Sequence, residues 1–263
     1  MNTPFITLIV PTHMRPALLK RALNSINSQK FREEIEVIVV SDVDDYQTLM
    51  VCKENLTKED IYIRRNGLNG PSASRNIGLQ LANGKNIMFL DDDDTWHCDF
   101  YDNLRKINFN LYFNYFNCNV IKEQRFDLEQ KKLNEFSLNL KDKLDINVFV
   151  KNQVHMSCLI FNAALLKNKE FDCSMRAYED WDFLLNIYKE IFPIHLPITC
   201  ANVYEVDDQT TDRRGSSADA LNFNAVLDYL YVYRRYPAPN GLIREKRQKM
   251  LASAGLLLPV DLL

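Results

Sequence analysis

A doubly wound α/β fold with a parallel central sheet is expected from two features of the chain. Short, almost continuously apolar runs rich in Val and Ile alternate with segments whose apolar residues recur at helical spacing. That alternation builds parallel sheets flanked by helices. The runs also end in polar residues, at Thr12–Arg15, Ser41-Asp42 and Asp91–Asp94. One sheet edge therefore collects the chemistry, because ligands of such sheets bind outside the carboxyl ends of the strands.

Phe5–Val10 (FITLIV) is closed by Pro11 and suits a strand buried on both faces. Pro16 opens a helix with Leu18, Leu19, Ala22, Leu23 and Ile26 at helical spacing. Ile35–Val40 (IEVIVV) is a second strand, Gln47–Asn55 a helix and Ile61–Ile63 a short third strand. Ser72–Ala82 is helical, and Asn86–Leu90 (NIMFL) is a fourth strand running into the aspartates. The second half is less regular. Leu111–Ile121 alternates in part as a strand, Lys141–Lys151 reads as a helix and His155–Phe161 as a strand. Asp180–Ile191 is an amphipathic helix, Ile198–Val206 another strand, and Ala218–Tyr233 and Leu242–Leu251 are closing helices. With no repeat, low-complexity tract or linker, residues 1–263 read as one domain with two functional halves.

The 263 residues carry 32 Lys and Arg against 35 Asp and Glu, a formal charge of −3, and 46% are apolar. A disordered chain is excluded by that apolar share. The near-neutral balance argues against nucleic acid as a partner, since phosphate neutralisation needs a surplus of Lys and Arg. Six cysteines without a C-x-x-C pair imply neither a zinc site nor a disulfide framework, but reduced, mostly core thiols. Met1–Pro11 lacks the basic leader of a signal peptide. No apolar stretch approaches the roughly 18 residues of a membrane helix. The apolar tail Leu251–Leu263 is broken by Ser253, Gly255, Pro259 and Asp261 and reads as a docking segment. A cytoplasmic location follows, with peripheral contact at the inner face of a membrane left open.

Asp91 to Asp94 are the strongest chemical feature. Four adjacent carboxylates repel and raise one another's pKa, a cost that a bound cation removes. Strand alternation would put Asp91 and Asp93 on one side. Their hard oxygens suit Mg²⁺ or Mn²⁺, which bridge phosphate oxygens. A solvated acidic turn capping a helix near Asp99 explains the cluster equally well alone; behind an apolar strand, metal and phosphate binding is favoured. Asp42 ends the second strand, where a carboxylate can accept from a nucleobase N–H, although an Asx-turn or cap is the simpler reading of that residue alone. In Asn69–Asn76, Gly70 allows an unusual turn, Ser72 can cap a helix, and free first-turn N–H groups with Arg75 can bind an anion.

Glu179-Asp180-Trp181-Asp182 opens a helix, where acids commonly complement the dipole. Trp181 as a buried wall beside a carboxylate would raise its basicity for general-base work. His155 reads as structural, His13 and His97 as near the site without metal-ligand spacing, and His195 as a strand-edge residue. Tyr231, Tyr233 and Tyr236, alternating with Arg234 and Arg235, read as helix packing with snorkelling arginines.

Five stretches taken in order resemble the family 2 glycosyltransferases with the GT-A fold: Val10–Arg15 (VPTHMR), Val40-Ser41-Asp42, Asn69–Gly78 (NGPSASRNIG), Phe89–Asp94 (FLDDDD) and Phe171–Phe183 (FDCSMRAYEDWDF). They cover about residues 5–190. The resemblance implies an inverting transfer of a sugar from a nucleotide-sugar donor, UDP-linked for preference, to an acceptor hydroxyl, with Mn²⁺ or Mg²⁺ as cofactor. It implies that Pro11, Thr12 and Arg15 lie around the nucleoside, that Asp42 contacts the base, and that Arg75 reaches the pyrophosphate or base. Asp91 and Asp92 would serve the nucleotide, and Asp91 and Asp93 the metal. Asp180 would be the general base, with Glu179 beside it. Residues from about 1 to 95 would form the nucleotide-binding half, about 96 to 215 the acceptor half and about 216 to 263 the C-terminal helices. A glycan or lipid-linked glycan of a bacterial surface polysaccharide is the implied acceptor.

Two departures accompany the match. Val43-Asp44-Asp45 stand where the family more often has Gly-Ser. No histidine follows His195, so the late metal-ligating histidine of some relatives is absent; Asp207 or Asp208 could substitute for it, and Arg213 and Arg214 read equally as a lid over the diphosphate or a solvated loop. A sugar nucleotidyltransferase would want a Gly-rich basic loop after the first strand, and Thr12–Arg15 contains no Gly. A non-catalytic nucleotide-sugar or glycan-binding module would be marked by a broken aspartate cluster or a missing base, and both are intact.

Overall fold

The computed structural model describes residues 3–67, 70–107, 112–125, 130–175, 177–206 and 223–263. Strand β1 (Ile6–Thr12) is buried throughout because it lies inside a parallel half-sheet. It pairs in parallel with β2 (Ile35–Ser41) and β4 (Asn86–Phe89), and β2 pairs in parallel with β3 (Ile61–Arg64). Between them, α1 (Pro16–Asn27) begins on Pro16 and buries Leu18, Leu19, Ala22, Leu23 and Ile26. Asp45 caps α2 (Tyr46–Asn55), its carboxylate accepting from the Gln47 and Thr48 amides. Gly70, at φ +144°, precedes α3 (Pro71–Leu81). The cap position therefore falls on Gly70 and not on Ser72, because Pro71 is preset for the first helical position. Gly78 lets α3 lie against β1: a Cβ there would stand 2.4 Å from Ile9 Cγ2.

After β4 the chain forms β5 (Thr95–Trp96), α4 (Phe100–Arg105), β6 (Phe113–Arg125), β7 (Gln130–Leu138), β8 (Leu159–Asn162), α5 (Glu179–Tyr188), β9 (Ile194–Val206), α6 (Phe223–Arg235) and α7 (Gly241–Ser253). The sheet runs β3-β2-β1-β4-β8-β6-β9-β5, with β7 on β6. Here β6 and β9 are parallel, while β8, β5 and β7 pair antiparallel with their neighbours. Phe89 of β4 packs edge-on against Phe161, Phe171 and Phe183, and the last two stack at 3.9 Å. That apolar cluster joins the two halves of the sheet.

Several second-half expectations are corrected. Lys141–Lys151 is not an α-helix: Asp142 takes φ +61°, and Asp145 caps only a 3₁₀ turn, Ile146–Phe149. His155 precedes a 3₁₀ turn, Met156–Cys158, and the strand starts at Leu159. β9 begins at Ile194, before Pro197, because the register against β6 shifts there and accommodates a residue with no N–H to donate. β7 was not foreseen; its residues are exposed on both faces until Leu138. The first residues of the predicted Ala218–Tyr233 helix lie outside the described residues. All six cysteines are free, and Cys52, Cys118, Cys158 and Cys200 are buried. No helix among the described residues is long and apolar enough to cross a membrane.

Candidate active site

The aspartates after β4 form a turn, with the Asp94 amide donating to the Asp91 carbonyl at 3.0 Å, not an extension of the strand. The turn still sorts the carboxylates as alternation would. Asp91 and Asp93 are partly exposed, whereas Asp92 and Asp94 are buried. Asp92, 0% exposed, accepts from Thr12 Oγ1 at 2.7 Å and faces Arg15 Nη2 at 2.6 Å. It thus fixes two of the predicted nucleoside-side residues and is closed to solvent itself. Burial pushes its pKa up to about 6, Arg15 opposing and Asp93 adding to the rise. Asp94 accepts from Ser157 Oγ and the Tyr204 amide, and burial with the neighbouring carboxylates raises its pKa well above normal.

Asp93 Oδ2 receives two guanidiniums, Arg15 Nη1 at 3.2 Å and Arg125 Nη1 at 3.1 Å. Arg125 Nε donates to Glu123 at 2.7 Å, and Glu123 in turn accepts from Arg21 Nη1 at 2.7 Å. Arg21 also donates to the Asp93 carbonyl and lies 3.6 Å above the Tyr204 ring. None of Arg21, Glu123 and Arg125 stood out in the sequence. The i, i+2 placement of Glu123 and Arg125 on one strand face was the available signal.

Arg75, 4% exposed, ties the aspartate turn to α5 by donating to Asp91 at 2.7 Å and Glu179 at 3.0 Å. Burial alone would lower its pKa, but Asp91, Glu179 and Asp180 outweigh that and raise it. Asp180, in the first turn of α5, accepts from the Trp181 amide at 2.8 Å. Crowding by protein raises its pKa to about 6, with Glu179 adding and Arg75 opposing. Trp181 does not wall that carboxylate. Its indole is 1% exposed, donates to the Val148 carbonyl at 2.7 Å and packs on Tyr229 and Tyr233, pinning α5 into the core.

Pro11 lies buried in β1 beside Val40. Asp42 is buried at the end of β2, its carboxylate between His13 Nδ1 at 2.5 Å and the Gly70 amide at 2.7 Å. His97 lies away from this edge: Gln29, beyond the C-terminal end of α1, donates to its carbonyl at 2.9 Å, whereas Arg15 precedes the start of α1. Twelve residues of helix, about 18 Å, lie between. His155 precedes the Met156–Cys158 turn, and burial lowers its pKa against the opposing charges of Asp91 and Glu205. His195 is held by Asn117 at 2.8 Å. Asp207, Asp208, Arg213 and Arg214 lie outside the described residues.

The donor set fits a hard divalent cation. Seven carboxylates (Asp91 to Asp94, Glu123, Glu179 and Asp180) gather with four arginines, Arg15, Arg21, Arg75 and Arg125. Burial, with neighbouring carboxylates adding, raises the pKa values of Asp92, Asp94 and Asp180. Asp91 and Asp93 would hold the ion, with phosphate oxygens and water completing the shell as Mg²⁺ prefers. Among the described residues the trio able to share an ion through three protein ligands is His97, Cys98 and Asp99, at the far end of α1.

The fold is that of the GT-A glycosyltransferases. Residues 7–167 match the family described as Glycosyl transferase family 2, and the chain belongs to that family. It is 30% identical over 234 residues to the GalNAc(5)-diNAcBac-PP-undecaprenol beta-1,3-glucosyltransferase of Campylobacter jejuni, covering 86% of this chain and 72% of that protein. Among solved structures, S. aureus TarS matches with a TM-score of 0.61 and 18% identity over 94% of this chain, which spans only 42% of that chain. A shorter TarS, residues 1-349 in complex with UDP-GlcNAc, gives 0.60 and 17%, covering 94% and 71% of the two chains. The mannosyltransferase PcManGT from Pyrobaculum calidifontis, in complex with GDP-Man and Mn²⁺, gives 0.60 and 18%, covering 99% and 78%.

Proposed function

We propose that the protein is an inverting, divalent-cation-dependent transferase that moves a sugar from a UDP-sugar to a hydroxyl of a glycan or lipid-linked glycan in bacterial surface polysaccharide synthesis. The observation that carries this reading is the reach of Arg75. One buried guanidinium holds Asp91 on the diphosphate side and Glu179, next to Asp180, on the acceptor side. Candidate base and candidate donor-binding carboxylate are thereby fixed relative to one another, as in-line displacement requires.

In the reaction, Asp180 takes the proton of the acceptor hydroxyl as that oxygen bonds to the anomeric carbon from the face opposite the leaving group. The bond from that carbon to the diphosphate oxygen breaks, and its electron pair leaves with the nucleoside diphosphate. A divalent cation at Asp91 and Asp93 would neutralise the charge of that leaving group. A carboxylate with a pKa of about 6 is well placed for base work near neutrality. Thr12 and Arg15, fixed by Asp92, and the Pro11 and Asp42 edge would hold the nucleoside. In this division, residues from about 1 to 95 serve the donor, about 96 to 215 the acceptor, and about 216 to 263 brace the acceptor half.

The relatives support the reading without deciding the donor: one structure holds UDP-GlcNAc and another GDP-Man with Mn²⁺. The undecaprenol in the name of the Campylobacter jejuni relative supports work at the inner face of a membrane. Thermal melting with UDP, GDP, dTDP and CDP, each with and without Mn²⁺, tests it. A ligand at a hundredfold excess over Kd stabilises by about 2.7 kcal/mol. UDP stabilisation that requires Mn²⁺ is expected; stabilisation by none of the four would overturn the donor assignment.

A further inference from the structure

We infer that Arg125, at the end of β6, is a ligand of the donor diphosphate, kept in position by Glu123 and lying against Asp93. The inference rests on the donor site proposed above and adds to it a residue outside every recognised motif.

The two ends of the Arg125 side chain are held differently. Its Nε donates to Glu123 at 2.7 Å, and Glu123 is itself 2% exposed and gripped by Arg21 at 2.7 Å. This end is a fixed pivot. The outer end is underemployed. Nη1 reaches Asp93 at 3.1 Å, sharing a single carboxylate oxygen with Arg15 at 3.2 Å. Both distances exceed the roughly 2.7–2.9 Å of good charge-assisted hydrogen bonds. Nη2 is buried and has no acceptor among the described residues. Two like-charged guanidiniums on one oxygen repel each other, and an unused buried N–H favours any rearrangement that supplies an oxygen.

Diphosphate oxygens beside Asp91 and Asp93 would supply it. A guanidinium presents paired donors in a planar fork that matches phosphate, and the pivot at Glu123 lets the outer end turn without unpacking the strand. Arg15, bound to buried Asp92 at 2.6 Å, stays with the loop, so the mobile charge is Arg125.

The test is calorimetric binding of UDP and GDP, with uridine and guanosine as controls, in Mn²⁺ to wild type, Arg125→Gln and Arg125→Lys. For whichever diphosphate the wild type binds, Arg125→Gln should weaken binding about tenfold, as expected for one charge-assisted contact. Binding of the matching nucleoside should not change. Arg125→Lys, which keeps the charge but not the fork, should fall between. Unchanged diphosphate affinity in Arg125→Gln overturns the inference alone, and so does an equal loss for nucleoside and diphosphate, which would mark a purely structural role. A wild type that binds neither diphosphate removes the donor reading and this inference with it.

Discussion

Arg75 and Glu179, 104 residues apart in sequence, meet at 3.0 Å inside the protein, and the same guanidinium holds Asp91 at 2.7 Å. The contact couples the electrostatics of the aspartate turn and of α5. Whatever changes the charge at Asp91 is felt at Asp180 through their shared arginine.

Arg75→Met should therefore be costly. It leaves Asp91, Glu179 and Asp180 without their cation, and removing one partner of a buried charge pair typically costs about 3–5 kcal/mol. Urea denaturation should show a loss of that order, and the pKa of Asp180 should rise further. A variant as stable as wild type would contradict the assignment.

Activity should fall on the acid side with an apparent pKa near 6, the value to which burial and Glu179 push Asp180. Turnover should be lost in Asp180→Asn while nucleotide affinity stays within about twofold, since the amide keeps the shape but not the base. A turnover profile flat from pH 5 to 8 would exclude Asp180 as the base.

Stability should show the opposite pH trend. The Asp92 pKa is raised from 3.8 to about 6 on folding, so the native state binds the extra proton and stability declines as pH rises from about 4 to 6. The full effect is on the order of 3 kcal/mol. Asp92→Asn should flatten that slope in denaturation measured at several pH values; an unchanged slope would reassign it to other groups.

The parallel half was legible because its strands are buried on both faces and so read as continuous apolar runs between helical spacings. β7 left no such mark: both of its faces are exposed, so no hydrophobic alternation was selected. Lys141–Lys151 failed for a local reason, a backbone reversal at Asp142 that its side chain does not announce. The split between Asp91 with Asp93 and Asp92 with Asp94 was anticipated from strand alternation and arises from a turn. Beyond the i, i+2 spacing of Glu123 and Arg125, the clasp with Arg21 left no mark because that pairing is tertiary, spanning 102 residues between Arg21 and Glu123. Trp181 was placed beside the base by adjacency in sequence, yet successive helix residues point about 100° apart.

Two glycines test the packing of the parallel half. An alanine Cβ at Gly78 would meet only the Ile9 side chain, at 2.4 Å, whereas at Gly84 it would meet the Thr7 backbone nitrogen at 2.4 Å. Overpacking a core costs roughly 1–3 kcal/mol. Gly84→Ala should lower Tm more than Gly78→Ala, because a backbone strand yields less than an isoleucine rotamer. The reverse order would contradict the close contact with β1.

Asp93→Asn should abolish the Mn²⁺ dependence of nucleotide binding with little loss of fold, because an amide oxygen can still accept from Arg15 and Arg125. Melting curves with UDP, with and without Mn²⁺, should then superimpose. Retained Mn²⁺-dependent stabilisation would place the cation elsewhere.

The clasp of Arg21, Glu123 and Arg125 also sets an order of events during synthesis. The parallel half, through Asp94, can leave the ribosome before Glu123 exists, and Glu179 follows later still. Until then the aspartate turn carries its charge with Arg15, Arg21 and Arg75 as its available counter-charges. Contacts of such long sequence separation form slowly. In refolding, recovery of nucleotide binding should trail the return of secondary structure, so the site is the last part of the molecule to mature.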